Sequence, residues 1–264
     1  MEKYDVKFKK KFGQNFLKDV NIVKHIDSCA NIEGKSLVIE VGPGGAIMTR
    51  ELANTATNVL AYEIDTELKD ELYSRLVGLD NVNVHFCDFL EADLINDLKS
   101  YDYDNLYFVS NVPYYITTPI LMKLINSGLI FNKIVMMVQK EVGDRFSTKP
   151  GNREYGSITV LLNYYFKVKK EFNVSRNNFV PVPNVDSVIV SFSEREDKLD
   201  LVDFEKFQKL VLDSFQFKRK NIRNNLKQYD LHVIEGILNK YGYDLNVRAE
   251  QLDVEVFVDI SNNI

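Results

Sequence analysis

Leu37-Val38-Ile39-Glu40-Val41 is followed at once by Gly42-Pro43-Gly44-Gly45-Ala46 and then by a helical run from Ile47 to Ala53. A short apolar run bounded by glycines reads as a buried strand. A glycine-rich turn from a strand into a helix lets the backbone approach a ligand and leaves the helix N-terminus free to face it. Strand, turn and helix in this order fit a crossover in a parallel sheet. Three details separate the turn from a dinucleotide fingerprint. Glu40 stands two residues before the first glycine, Pro43 stiffens the turn, and the glycines do not keep the G-x-G-x-x-G spacing. An acid at that point suits a ligand carrying positive charge better than a pyrophosphate.

Four more apolar runs follow, and most end in a polar group. Val59 to Asp65 ends in two carboxylates, with Glu63 about 20 residues past the glycine turn, the interval at which an acid meets a ribose diol. Asp65 is better placed to cap the helix that follows. Val82 to Phe86 leads to Cys87-Asp88-Phe89-Leu90, where Asp88 is placed either to accept from an adenine amine or to cap the turn that follows. Leu106 to Val109 runs into Ser110-Asn111-Val112-Pro113-Tyr114-Tyr115, and Pro113 forbids the strand from continuing. Asn111 is therefore left at the open end of a sheet, where ligands of α/β proteins collect. Its amide oxygen and a carbonyl beside Pro113 accept hydrogen bonds, and Tyr114 offers a flat face, so an exocyclic amine such as adenine N6 fits. Thr117-Thr118-Pro119 starts a helix, and Ile134 to Val138 is the fifth strand. Strands alternating with helices indicate an α/β fold with helices on both faces of the sheet.

Before this core, Val20, Val23, Ile26 and Ala30 form a helical stripe. After it, Gln139 to Arg145 is amphipathic, and Lys149 to Gly156 is a basic, turn-rich loop. Segments 158–168 and 185–192 read as a long hairpin completing the sheet. Between them, Phe179 sits beside a proline-stiffened turn and is expected to wall a base pocket. Charge rises around Ser193 to Asp200 and the strand pattern stops. The chain is therefore divided into residues 1–194, a ligand-binding α/β domain, and residues 195–264, a helical domain. Phe204, Phe207, Leu210, Val211 and Phe215 share one stripe of the latter.

The formal charge of -5 and pI near 5.4 argue against a general nucleic-acid coat. The cations nevertheless cluster. Lys3, Lys7, Lys9, Lys10, Lys11 and Lys18 crowd the beginning, and Lys218, Arg219, Lys220, Arg223 and Lys227 form a second group. Two such patches on an acidic body suggest local contact with phosphates. The 2 cysteines and 3 histidines show neither a disulfide framework nor metal-ligand spacing. No apolar run approaches the roughly 20 residues of a membrane span, and no secretory leader is evident. The expectation is a cytoplasmic, metal-free protein that does not engage membranes.

Glu-Val-Gly-Pro-Gly at 40–44, Glu63, Asp88 and Asn-Val-Pro-Tyr at 111–114, in that order, resemble a class I methyltransferase acting on adenine N6. Flanking blocks narrow the resemblance: Gly13-Gln14-Asn15-Phe16-Leu17, Gln139-Lys140-Glu141-Val142, Tyr155-Gly156-Ser157, Phe179-x-Pro-x-Pro-x-Val185-Asp186-Ser187 and Arg219-Lys220-x-x-Arg223-Asn224-Asn225-Leu226. Together they are similar to the KsgA/RsmA family of small-subunit ribosomal RNA adenine dimethyltransferases. Val112 departs from that pattern, where leucine is usual, and the tail after 228 matches loosely.

The resemblance implies a Rossmann-like methyltransferase sheet with a small helical rRNA-binding domain. Its activity would be transfer of methyl groups from S-adenosylmethionine to N6 of two adjacent adenosines near the 3′ end of small-subunit rRNA. The substrate would be an immature small subunit, and the protein would act as a monomer. Asn15, Leu17, Gly42, Gly44, Glu63, Ile64, Asp88, Phe89 and Asn111 would surround the methyl donor, with Glu63 on the ribose hydroxyls and Asp88 on the adenine amine. Asn111, Pro113 and Tyr114 would be catalytic. Tyr114, Phe179, Lys218, Arg219, Lys220 and Arg223 would hold the RNA. The alternatives are the sister large-subunit (23S) rRNA adenine methyltransferases that confer macrolide resistance, and a ribosome-assembly factor that mainly binds. DNA adenine methylation and nicotinamide-dependent redox chemistry fit less well.

Overall fold

The computed structural model describes residues 15–264. The basic group from Lys3 to Lys11 and Gly13-Gln14 lie outside the described residues. The first elements are β1 (Phe16–Leu17), α1 (Val20–Ala30), β2 (Ser36–Val41), α2 (Ile47–Thr55), β3 (Asn58–Tyr62), α3 (Lys69–Arg75) and β4 (Val82–His85). Then come α4 (Leu94–Leu98), β5 (Asn105–Asn111), α5 (Thr117–Asn126), β6 (Lys133–Gln139), α6 (Lys140–Phe146) and α7 (Ser157–Tyr165). The remainder is β7 (Phe166–Val174), β8 (Phe179–Val180), β9 (Ser187–Glu194), α8 (Phe204–Ser214), α9 (Ile222–Asn225), α10 (Leu231–Lys240) and α11 (Val254–Asn263).

Two compact units emerge. One takes the chain up to Gly143 together with Lys169–Ser193, and the other takes Asp144–Val168 and Glu194–Ile264. The first unit is an α/β fold around a seven-stranded sheet of order β4-β3-β2-β5-β6-β9-β7. Strands β4, β3, β2, β5 and β6 are parallel, and β9 joins β6 antiparallel. The order reverses between β2 and β5, so a crevice opens beyond their carboxyl ends. A separate two-stranded ribbon pairs Phe16 with Val180 and Leu17 with Phe179.

Fully apolar strands are what a parallel sheet covered on both faces requires. Val23, Ile26 and Ala30 of α1 and Leu52 of α2 pack against Val38, Val59, Val109 and Val135 on one face. Val20, expected in that stripe, is half exposed in the first turn of its helix. Asp19 caps that turn by accepting from the Asn21 amide. On the opposite face the Tyr62 hydroxyl donates to Asp97 of α4, and its ring meets Phe89 edge-on. Each large apolar side chain buried in these layers contributes about 1.5–3 kcal/mol.

The second unit corrects one expectation. Residues 158–165, read as strand, are helix α7, and the strand begins only at Phe166. A continuous apolar run does not distinguish the two by periodicity. Here Thr159 decides: its hydroxyl accepts from the Gly156 amide and donates to the Arg145 carbonyl, securing the first turn of a helix. Val160 and Leu161 then join Phe207, Leu210, Val211 and Phe257 in one apolar cluster. That packing is why residues 144–168 belong to the helical unit, whereas the expected division kept them with the sheet. The later transition between the units lies between Ser193 and Glu194.

Helix α6 approaches the sheet closely enough that a methyl group on Gly143 would fall inside the Val188 side chain, 2.9 Å from Val190 and 3.2 Å from Val138. Alanine favours a helix by about 1 kcal/mol over glycine, but three β-branched neighbours on two paired strands have little room to yield. Gly143→Ala is therefore expected to lower unfolding stability by about 1–3 kcal/mol, read from urea denaturation. Unchanged or raised stability would mean that α6 shifts freely on the sheet.

Candidate active site

The carboxyl ends of β2, β3, β4 and β5 open onto one cleft in the first unit. From β2 it receives Glu40 and the turn Gly42 to Gly45; from β3, Tyr62, Glu63 and Ile64. Strand β4 contributes Cys87 to Leu90, and β5 contributes Asn111 to Ile116. Asn15, Phe16 and Leu17 close the remaining side. Every residue expected around the methyl donor therefore meets in one place, along with Pro113 and Tyr114.

Glu63 organises the centre. It is buried, and its carboxylate accepts from the amides of Gly44 (3.2 Å) and Asp65 (2.9 Å). Its own amide donates to the His85 carbonyl, so the residue is pinned between the glycine turn and β4. Burial nevertheless pushes its carboxyl above the usual range, with those two amides working against the shift. Asp65 caps the short 3-10 turn Thr66–Leu68 through the Glu67 amide. Gly44 has φ +49, and the Phe16 ring lies against its α-carbon, where a side chain would collide. Asp88 accepts from the Leu90 amide at 2.8 Å, which folds the loop. Lys123 of α5 braces that loop by donating to the carbonyls of Leu90 and Ala92.

Asn111 donates through its side chain to the Asn15 carbonyl at 3.2 Å. Spending the amide nitrogen there makes the acceptor oxygen its remaining polar atom. The Pro113 carbonyl accepts from the Ile116 amide, closing a 3-10 turn, and keeps a second lone pair. Tyr114 is half-buried, its hydroxyl 2.7 Å from that of Ser187 at the start of β9. Burial raises its pKa from the usual phenol value. Ser187 carried no local signal for this role in the sequence. Phe16 was within reach, since it is an apolar anchor between two chosen residues, Asn15 and Leu17.

Phe179 is a correction. It does not line the cleft; it is fully buried, paired with Leu17 and packed among Val23, Val109 and Ile189. The proline turn that was expected to present its ring pulls it into the core beneath β1. Lys218, Arg219, Lys220 and Arg223 belong to the second unit and are all exposed there.

Glu40 is the least comfortable group. It is fully buried, and beyond a weak contact with the neighbouring Thr49 hydroxyl its Oε2 has no hydrogen-bond partner. Burial pushes its carboxyl up to about 8, offset in part by the nearby Thr49 hydroxyl and reinforced by Glu63. An orphaned acceptor in a cleft that already holds the carboxylates of Glu63 and Asp88 fits a cationic ligand with hydroxyl and amine donors. Among the described residues no group of three or more His, Cys, Asp or Glu is placed to hold a metal ion.

A family model described as ribosomal RNA adenine dimethylase matches residues 5–264. The ribosomal RNA small subunit methyltransferase A of Streptococcus gordonii is 42% identical over 271 residues, spanning 99% of this chain and 93% of its own. That of Thermotoga petrophila is 44% identical over 259 residues, spanning 98% and 92%. Among solved structures, a dimethyladenosine transferase from Plasmodium falciparum superposes with a TM-score of 0.78 at 26% identity, over 93% of this chain and 95% of its own. The 23S rRNA methyltransferase ErmE gives 0.75 at 28%, over 94% and 98%.

The state of Glu40 is measurable without any ligand. An unfolded glutamate titrates near 4.5, whereas the folded one keeps its proton to about 8. Between those values the native state holds a proton that the unfolded chain releases, so the residue's contribution to stability falls as pH rises. Glu40→Gln cannot titrate. It is expected to gain stability relative to the unsubstituted protein between pH 5 and 8, in urea melts at fixed ionic strength. A difference that stays flat would mean Glu40 is already ionised in the fold.

Proposed function

The chain belongs to the ribosomal RNA adenine dimethylase family, and we propose that it dimethylates N6 of two adjacent adenosines near the 3′ end of small-subunit rRNA. S-adenosylmethionine is the methyl donor, and an immature small subunit is the substrate particle. The observation that carries this reading is the meeting of Asn111, Pro113 and Tyr114 with Glu63 and Asp88 in one cleft. The relatives at about 40% identity are named for the small subunit, which favours that substrate over the large-subunit RNA named for ErmE.

Adenine N6 is a poor nucleophile because its lone pair is delocalised into the ring. The Asn111 oxygen and the free lone pair of the Pro113 carbonyl accept the N6 protons, which localises that lone pair and aims it. The Asn15 contact holds the Asn111 amide in the orientation that offers its oxygen. Tyr114, fixed by Ser187, stacks on the extruded base, an interaction of about 1–3 kcal/mol. Glu63 takes the ribose hydroxyls of the donor, Asp88 its adenine amine, and the Gly42–Gly44 turn admits its methionine part. Bound there, the donor would supply a sulfonium methyl group for direct displacement by N6, its sulfur keeping the electrons of the broken bond. Each transfer releases one N6 proton to water. The work of the protein is positioning and electrostatics.

The helical unit supplies rRNA contacts through Lys218, Arg219, Lys220 and Arg223. The protein acts as a monomer in the cytoplasm. No helix among the described residues is long and apolar enough to cross a membrane.

Labelled methyl transfer to unmethylated small subunits and, in parallel, to naked large-subunit rRNA tests the reading. Dimethyladenosine is expected in the small subunit alone, and Asn111→Ala is expected to lower kcat by about 100-fold or more. Label in the large-subunit RNA would assign the protein to the sister activity. Ser187→Ala leaves the Tyr114 hydroxyl without its partner, a loss of about 1 kcal/mol. It should lower kcat roughly fivefold with unchanged donor affinity, and Ser187→Thr should recover it. A change in donor affinity alone would sever the link between Ser187 and the target base.

A further inference from the structure

Phe217 lies in the second unit, 56% exposed, within the sequence Phe217-Lys218-Arg219-Lys220. A single exposed apolar residue is ordinary on a protein surface. Two observations set this one apart.

The first is the way its turn is held. Asn225 is 3% exposed, and its side-chain nitrogen donates to the carbonyls of Ser214, Phe217 and Lys220, while its oxygen accepts from the Phe217 amide. The Lys220 amide also donates to the Phe217 carbonyl at 2.8 Å. Just beyond, the amides of Ile222 and Arg223 donate to the carbonyls of Val247 and Leu245. A buried amide thus staples residues 214–220 into one shape, and the aromatic ring it presents outward is displayed by design of the backbone rather than left over from packing.

The second is charge. Several other cations of the same unit pair with acids: Lys209 with Asp213, Lys240 with Asp259, and Arg195 with Asp197 and Glu255. No carboxylate among the described residues pairs with Lys218, Arg219, Lys220 or Arg223. The nearest acid in the chain, Asp213, is already shared by Lys209, Gln228 and Tyr229. Asp244, on the segment bonded to α9, is taken up by Asn246. Four unneutralised cations around a rigidly displayed aromatic ring match a polyanion that also carries flat apolar faces.

We propose that the stapled turn 214–220 is a grip for unpaired RNA, in which Phe217 stacks on a base and Lys218, Arg219, Lys220 and Arg223 hold the flanking phosphates. The inference rests on the RNA-modifying reading above and adds to it a stacking residue outside the cleft. Single-stranded RNA is favoured over a duplex because a base inside a helix has no free face for the ring.

The experiment is fluorescence anisotropy of the full chain with an unstructured adenine- and cytosine-containing oligoribonucleotide, and with the same sequence locked in a hairpin stem. Phe217→Ala is expected to weaken binding to the open strand by about 5- to 100-fold and to leave its salt dependence unchanged. Phe217→Trp should retain affinity, whereas Phe217→Leu, apolar but not aromatic, should not. Lys218→Gln and Arg219→Gln should each lower the salt slope by about 0.7. Equal affinity in Phe217→Ala, full affinity in Phe217→Leu, or an equal loss on the stem would overturn the proposal. A loss of affinity for small subunits without a loss for the oligonucleotide would also overturn it, by assigning Phe217 to a protein contact. Methyl transfer by the unsubstituted protein keeps the two readings apart. Transfer with a Phe217-independent oligonucleotide affinity sinks the grip alone, whereas Phe217-dependent binding without any transfer supports the grip and sinks the catalytic reading.

Discussion

A parallel sheet covered on both faces has no water along its length, so every polar demand its strands cannot meet internally is moved to their ends. That constraint shapes this molecule. Strands β2, β3 and β5 are sealed by apolar side chains while β4 lies at the sheet's edge, and the four carboxyl ends carry a glycine turn, a buried glutamate, an aspartate loop and a proline turn. Glu63 joins two of these ends by accepting from the amides of Gly44 and Asp65. The cleft is where the sheet's unmet hydrogen bonds are gathered.

The gathering carries a cost that is visible in Glu40. Its carboxyl is buried with an orphaned oxygen, in a region where a hydrophobic side chain would pack without penalty. Unsatisfied groups of this kind destabilise a fold by about 1–3 kcal/mol each. They are explained more readily by a ligand's needs than by those of the sheet. Tyr114 shows the opposite strategy: its hydroxyl is satisfied by Ser187, which leaves the ring face as the part on offer.

Much of the fold was legible from residue pattern alone. Apolar runs at 37–41, 59–62, 106–109 and 134–138 stand out because burial on both faces keeps most polar residues out of them, whereas the edge strand at 82–86 shows only alternation, and the groups after the first four of these five strands in chain order mark the cleft. The functional sense of those endings came from the resemblance of the motifs taken together. What stayed hidden depended on partners distant in sequence. Residues 158–165 look equally apolar as helix or strand, and only Thr159 and the cluster around Phe207 settle the matter. Phe179 carried a plausible motif, but whether its ring faces a cleft or a core is decided by pairing with Leu17. Ser187 is one serine among several until a tyrosine 73 positions away lies against it.

The small ribbon formed by β1 and β8 joins the beginning of the described chain to a segment more than 160 residues later. One wall of the cleft, Asn15 to Leu17, is held by that join, and Tyr114 is held by β9, which follows it. The lining itself ends at Ile116, but two of its walls are braced by a segment that follows much later in the same unit. Ligand affinity in this protein is therefore also a report of completion: a chain lacking the segment after Val174 would keep the lining residues but lose the braces on Phe16, Leu17 and Tyr114, and its grasp should weaken.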